Sequence, residues 1–312
     1  MNDIFYMQRC LQLAAQGRSG AKPNPMVGAV IVWQAPDGSE RILGEGYHVK
    51  CGEGHAEVNA FRSVREEDEA LLKDAVMYVS LEPCSHYGKT PPCADLIVRK
   101  GVRRVVVGCI DPFAEVSGRG VRKLQEAGIE VTVGVLEEEC RRLNRRFFTF
   151  HEKKRPYIIL KWAQSADGKI DRDGTPLQIS TPFTRMLMHR QRADVEAILV
   201  GRVTEEREHP ALTTRHWPGK SPEKIVLSHD GPSIEEILRR LHAENKQALM
   251  VEGGKKTLDS FIAAGLWDEI RVETGTVIAG GGTPAPALPS SARLAGEEGY
   301  DGNVIRIYQV ES

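Results

Sequence analysis

His55-Ala56-Glu57, followed by Pro83-Cys84 and then by Cys93, is the stretch on which the reading of this chain turns. One imidazole and two thiolates give a tetrahedral zinc three protein ligands and leave its fourth position open, as a metal that must hold a reactive water requires. Glu57 is placed to move the protons of that water. The pattern is that of zinc-assisted hydrolysis at an amino-bearing ring carbon, in which the Glu is not a ligand. Between the two Cys lie Ser85-His86-Tyr87-Gly88-Lys89-Thr90-Pro91-Pro92, so a loop with its own polar groups sits against the metal.

Positions two apart on a regular helix do not share a face, so His55 and Glu57 reach one pocket only from a helix entrance. Gly52-Glu53-Gly54 breaks the chain before Ala56, and Pro91-Pro92 precede Cys93 and a second helical run ended by Gly101. Helix N-termini favour thiolate over thiol. Of the remaining cysteines, Cys10 and Cys109 lie in apolar surroundings and read as core; Cys51, four residues before His55, is a candidate redox-sensitive thiol.

Composition narrows the class. At 312 residues, with 41% hydrophobic and 27% charged residues, the chain has room for two ordinary globular domains. A net charge of −1 with mixed signs argues against nucleic-acid or membrane partners. The sequence shows neither a signal peptide nor an apolar run long enough to span a bilayer, so small-molecule chemistry in the cytoplasm is expected.

The first half alternates strands and helices: a helix over 4–15, strands near 27–32, 42–47, 75–80, 104–108 and 129–133, and helices between, which predicts a largely parallel sheet between helical layers. The charged stretch 141–155, ending at Pro156, is the expected boundary, giving domains 1–150 and 151–312. Strands are expected in the second half near 157–161, 196–200, 224–227, 248–251, 269–272 and 304–308, with helices near 184–192, 234–242 and 257–264. The strand ending at Val251 runs through Glu252-Gly253-Gly254 into a helix, where free amides could meet a phosphate. That turn lacks the full dinucleotide fingerprint, and Gly280-Gly281-Gly282 reads as a close-approach or flexible loop.

Taken together, Pro23-Asn24-Pro25-Met26-Val27-Gly28, Gly46-Tyr47-His48, His55-Ala56-Glu57, Glu82-Pro83-Cys84-Ser85-His86 and Gly88-Lys89-Thr90-Pro91-Pro92-Cys93 resemble the bifunctional deaminase–reductase family of riboflavin biosynthesis. Leu160-Lys161, Ser165-Ala166-Asp167-Gly168-Lys169-Ile170, Pro210-Ala211-Leu212-Thr213-Thr214-Arg215 and Glu252-Gly253-Gly254 extend the resemblance over nearly the whole chain. It implies an α/β protein of two domains, a cytidine-deaminase-like α/β/α sandwich and then a dihydrofolate-reductase-like α/β domain, using Zn2+ and NADPH. By that resemblance His55, Cys84 and Cys93 hold zinc, Glu57 is catalytic, and Asn24, His48, His86 and Lys89 line the pyrimidine ribosyl phosphate pocket. Ala163, Thr204, Glu208, Ser228, Gly253 and Gly254 would meet NADPH, while Arg192, Leu212, Arg215 and Glu252 would meet the reductase substrate. The implied reactions are hydrolytic deamination of an aminopyrimidinone ribosyl phosphate and reduction of its ribosyl group to ribityl. A homo-oligomer is compatible with the sequence.

The chain departs from the family pattern at several places. Asp-Pro-Asn-Pro reads Asp111-Pro112-Phe113-Ala114, Ser-x-Trp-Ile reads Pro176-Leu177-Gln178-Ile179, Gly-Thr reads Val203-Thr204, and Glu208 stands for Asp. The alternative these raise is a deaminase joined to a degenerate, non-catalytic reductase domain. A cytidine- or RNA-adenosine-type deaminase is disfavoured by the long Lys89 loop and the absent basic surplus. A structural zinc protein is disfavoured because structural zinc is nearly always closed by four protein ligands.

Overall fold

The computed structural model describes residues 1–87, 91–113 and 117–310. The chain divides into two compact units, Met1–Lys153 and a second beginning at Lys154. The first contains α1 (Asp3–Gln16), β1 (Gly28–Gln34), β2 (Glu40–Tyr47), α2 (Ala56–Arg62), β3 (Val76–Leu81), α3 (Cys93–Lys100), β4 (Arg104–Cys109), α4 (Arg119–Glu126), β5 (Glu130–Val133), α5 (Glu137–Leu143) and α6 (Arg145–Lys153). The charged run expected to be a boundary is thus mostly helical, and α6 belongs to the first unit.

The five strands lie in the order β2-β1-β3-β4-β5. Alternation decides the layers. Ala29, Ile31, Met77, Val79, Val105 and Val107 face one core with residues of α2, α3 and α4, whereas Val30, Val32, Val76, Tyr78 and Val106 face another with α1, Cys140 of α5 and Phe148 of α6. Cys10 and Cys109 are buried in the latter core, as their surroundings suggested, and Cys51 is exposed.

The sheet is less parallel than expected. β1 pairs antiparallel with both β2 and β3, and only β3–β4 and β4–β5 are parallel. The reason is the short turn at Pro36-Asp37-Gly38, where Gly38 has φ +86°: a hairpin is the connection so few residues allow, while parallel neighbours need helical crossovers.

The second unit comprises β6 (Tyr157–Gln164), β7 (Asp171–Arg172), β8 (Thr175–Pro176), α7 (Pro182–Ala193), β9 (Ala197–Gly201), α8 (Arg202–Glu208), β10 (Glu223–Leu227), α9 (Ile234–Ala243), β11 (Ala248–Val251), α10 (Lys255–Ala263), β12 (Glu269–Thr274), β13 (Ala292–Tyr300) and β14 (Asn303–Val310). Its main sheet runs β10-β9-β11-β6-β12-β14-β13. The first five strands are mutually parallel, and β14 is antiparallel to β12 and to β13. β13 escapes the apolar-pattern reading because it is a largely exposed edge strand with two glycines and two glutamates. Its sequence signal was the Asp301-Gly302 turn, with both φ positive, which pairs Tyr300 with Asn303 as two-residue hairpins do. Asp173-Gly174 joins β7 to β8 in the same way.

One close approach ties the fold to the site. A Cβ at Gly46 of β2 would lie 2.3 Å from the Ala60 nitrogen and 2.6 Å from the Ala56 oxygen, so this glycine lets α2 rest directly on the sheet. Gly46→Ala must push α2 outward. We expect a loss of about 1–3 kcal/mol, the usual effect of overpacking, read as a lower urea midpoint together with weakened zinc retention.

Candidate active sites

Residue conformation brings the first cluster together. His55 is the extended N-cap of α2, and Cys93 is the first residue of α3, so both project from helix entrances. Cys84 follows the end of β3. The His55 Nδ1 lies 3.6 Å from Cys84 Sγ and 3.4 Å from Cys93 Sγ, and the three donor atoms are all within 4.8 Å of one another. Tetrahedral zinc, with Zn–S of about 2.3 Å and Zn–N of about 2.0–2.1 Å, requires an S···N separation of about 3.6 Å, so the donors fit that ion. A hydrogen bond from Cys93 and the adjacent His55 hold the Cys84 thiol well below its ordinary value. Hydrogen bonding to Cys84 in turn pushes the His55 imidazole up to about 9.

Glu57 lies on the first turn of α2, is 3% exposed, and is not among the three clustered ligands. Burial and the Cys84 thiolate push its carboxyl up to about 7, against the pull of His55, which suits a group that must both take and give a proton near neutrality.

Asn24 and His48 stand beside this cluster. The His48 ring packs edge-on to His55 with centroids 5.3 Å apart. Its Nδ1 is 3.2 Å from the Gly54 carbonyl, which can only accept, so Nδ1 carries the proton and Nε2 accepts from Asn24 Nδ2 at 3.1 Å. Burial lowers the His48 pKa and keeps the ring neutral. His86 is exposed, its ring 6.4 Å from that of Phe113. Phe113, where the family pattern has Asn, also packs on His151 at 5.3 Å. Lys89 lies outside the described residues.

Two supporting residues carried no role in the sequence reading. The Glu82 carboxylate accepts from the backbone amides of Asp111, Gly118, Gly120 and Val121 at 2.9–3.2 Å, tying the end of β3 to the entrance of α4. Asn144, inside the charged run, donates to the Met26 carbonyl and accepts from the Met26 amide, both at 2.8 Å, fixing the segment that presents Asn24. Glu82 could have been suspected from its place beside Pro83-Cys84. Asn144 has no sequence signal.

The second unit holds an open cavity of about 1330 Å³. Ala163, Thr204, Glu208, Ser228, Gly253 and Gly254 all line it, as do Arg192, Leu212, Arg215 and Glu252. Arg192 is buried and grips Glu252 through Nε at 3.0 Å and Nη2 at 2.8 Å. Burial works against the Glu252 charge, but Lys161 and Arg192 hold its carboxyl below its ordinary value. The arginines facing the cavity with no bonded or ionic partner among the described residues are Arg185, which the sequence reading missed, and Arg215. Leu212 adopts φ +48°, in a turn whose Thr213 carbonyl accepts from His189 Nδ1 at 2.5 Å.

The Glu252-Gly253-Gly254 turn suits a dinucleotide phosphate. Gly254 is the N-cap of α10 and has no side chain to cap it; its own N–H donates to Thr204 Oγ1 at 3.2 Å, and Lys255 and Lys256 of the first turn line the cavity. A Cβ on Gly253 would meet Thr257 Cβ at 2.7 Å, so the turn admits no larger residue without a shift.

The family model of the cytidine and deoxycytidylate deaminase zinc-binding region matches residues 1–109, and that of the RibD C-terminal domain matches residues 156–233 and 231–295. The riboflavin biosynthesis protein RibD of Aquifex aeolicus is 39% identical over 90% of this chain and 88% of its own length. The chain belongs to the RibD family. The RibD of Bacillus amyloliquefaciens is 34% identical over 92% of this chain and 87% of its own. A crystal structure from Thermotoga maritima, described as a diaminohydroxyphosphoribosylaminopyrimidine deaminase/5-amino-6-(5-phosphoribosylamino)uracil reductase, superposes with a TM-score of 0.86 at 33% identity, covering 99% of both chains. As a RibD-family member the chain is a bifunctional riboflavin biosynthesis enzyme, a zinc deaminase joined to an NADPH reductase.

Each thiolate is one of only three protein ligands. Cys84→Ser or Cys93→Ser should therefore reduce zinc from about one per chain to a small fraction by elemental analysis. Full zinc in Cys84→Ser would remove that residue from the ligand set.

Proposed function

We propose that the first unit hydrolyses the 2-amino group of 2,5-diamino-6-ribosylamino-4(3H)-pyrimidinone 5′-phosphate, and that the second reduces the ribosyl group of the product to give 5-amino-6-(5-phosphoribitylamino)uracil. The observation that carries the reading is the three-donor cluster with a buried, non-ligating carboxylate beside it. The names of the relatives supply the substrate class. Both substrates are small molecules, and no helix among the described residues is long and apolar enough to cross a membrane. A cytoplasmic enzyme, with a homo-oligomer allowed, is the corresponding cellular reading.

Zinc, when bound by His55, Cys84 and Cys93, supplies the Lewis acidity that makes water a nucleophile at neutral pH. Glu57 takes the proton of that water and returns protons to the ring nitrogen and to the departing ammonia. A carboxyl near pH 7 can do both. Asn24 and His48, locked to each other and to Gly54, form a rigid polar wall for the pyrimidine; His86 and Lys89 complete the reading on the ribosyl phosphate side.

In the second unit NADPH supplies the hydride, and the chain supplies alignment and charge. Ala163, Thr204, Glu208, Ser228, Gly253 and Gly254 hold the cofactor along the strand ends. The Arg192–Glu252 pair makes a fixed polar floor for the substrate, Leu212 packs beside it, and Arg215 with Arg185 takes the phosphate that Arg192 is not free to grip alone. The intact cavity favours a working reductase over a degenerate one.

Glu57→Gln should keep its zinc yet release no ammonia, while oxidising NADPH at the wild-type rate when given the deaminated intermediate. Substantial ammonia release by the zinc-replete variant would end the proton-shuttle role. Arg215→Ala should raise the reductase KM about tenfold or more, the loss expected of a hydrogen bond to a charged group, with ammonia release unchanged.

A further inference from the structure

Helix α7 carries a buried histidine that neither reaction uses. His189 is 0% exposed and stands three residues before Arg192, so the two side chains leave the helix on one face. Arg185, Met188 and Arg192 of the same helix line the reductase cavity, whereas His189 turns to the loop between α8 and β10.

Its two ring nitrogens fare differently. The Thr213 carbonyl can only accept, so Nδ1, 2.5 Å away, carries the proton and Nε2 is left as an acceptor. That Nε2 is buried with no hydrogen-bond partner among the described residues. An unpaired polar atom in the interior costs stability, and a leucine would fill the space without that cost. What Nδ1 holds therefore accounts for the residue. Burial lowers the His189 pKa, with Arg192, Arg215 and His216 adding to that against the pull of the Thr213 carbonyl, so the ring stays neutral.

Nδ1 holds a strained turn. Leu212, next to Thr213, has φ +48°, a region that a bulky residue enters only where its surroundings keep it there. Leu212 is itself buried and lines the cavity. Two donors from α7 meet at the Thr213 carbonyl: His189 Nδ1, and Arg192 Nη1 at 3.4 Å. Beyond that carbonyl the loop is braced on itself. The Thr214 amide donates to Ser221 Oγ at 3.2 Å, Thr214 Oγ1 to the Gly219 carbonyl at 3.0 Å, and the Trp217 amide to the Thr214 carbonyl at 2.8 Å. His216 packs edge-on against His189, with ring centroids 4.7 Å apart. Arg215 lies between these fixed points and lines the cavity, with no bonded or ionic partner among the described residues.

We propose that His189 is a positioning residue for the reductase step: by clamping the Thr213 carbonyl it holds Leu212 in its left-handed turn and aims Arg215 at the substrate phosphate. The proposal rests on Arg215 taking that phosphate. Arg192 cannot replace the clamp, because its shorter bonds, at 2.8 and 3.0 Å, go to Glu252. His189 touches no reacting atom, so its loss acts on substrate binding and not on hydride transfer.

The test is steady-state reductase kinetics of the zinc-loaded full chain, given the deaminated intermediate and NADPH. His189→Leu should raise the KM for the intermediate about fivefold to tenfold, with kcat and the KM for NADPH within about twofold of wild type. His189→Asn, whose amide nitrogen falls close to the place of Nδ1, should return that KM to within about twofold of wild type. In an Arg215→Ala background His189→Leu should add less than about twofold, since a residue acting through Arg215 has nothing left to aim. A wild-type KM in His189→Leu, an Asn variant no better than the Leu variant, or a full multiplicative loss in the double variant would overturn the positioning role. If His189→Leu does not fold, His189→Phe, a ring without the donor, is compared with His189→Asn in the same way. Arg215→Ala with a wild-type KM would instead remove the phosphate reading of Arg215, and the proposal with it.

Discussion

The Nδ1 of His55 and the Sγ atoms of Cys84 and Cys93 meet because two helix entrances and one strand end are held against a single sheet. Gly46 lets α2 settle onto β2, and Glu82 binds the end of β3 to α4 through four backbone amides. Ligation and folding are therefore coupled: the donors repel or share protons until a cation gathers them, and the energy of binding that cation reinforces the packing that aligns them. Glu57 follows from the same geometry, since a helix that starts at Ala56 must bury its first-turn carboxylate beside the ligands.

In the second unit the corresponding constraint is the parallel run β10-β9-β11-β6, whose C-terminal ends open together. No single residue makes that cavity. Its lining combines a buried, ion-paired Arg192–Glu252 with two guanidinium groups, those of Arg185 and Arg215, that have no bonded or ionic partner among the described residues. Buried ion pairs are costly to break, so Arg192 serves better as a fixed frame than as a mobile phosphate clamp. Free cations such as Arg185 and Arg215 can trade water for phosphate at little cost.

Much of this was legible in the sequence. The zinc ligands, Glu57 and the helix entrances follow from spacing and from glycine and proline placement, because metal geometry admits few patterns. Most strands of both sheets follow from their apolar runs. β13 was not seen, since an exposed edge strand has no face to encode in apolar alternation, although Asp301-Gly302 marked its turn. The share of parallel pairing in the first sheet is smaller than apolar runs suggest, because a continuous apolar strand looks alike in parallel and antiparallel settings, although Pro36-Asp37-Gly38 marks the β1–β2 hairpin. The sequence does not show that Arg192 and Glu252, 60 residues apart, pair with each other. Asn144 was invisible for the same reason: its partner, Met26, is reached only through the fold.

An open zinc site built by three protein ligands has a distinct signature in X-ray absorption at the zinc edge of the wild-type protein. Two sulfur neighbours at about 2.3 Å and two nitrogen or oxygen neighbours at about 2.0–2.1 Å, one of them exchangeable, are expected. A third sulfur, such as Cys51 would supply, would describe a closed structural site and contradict it.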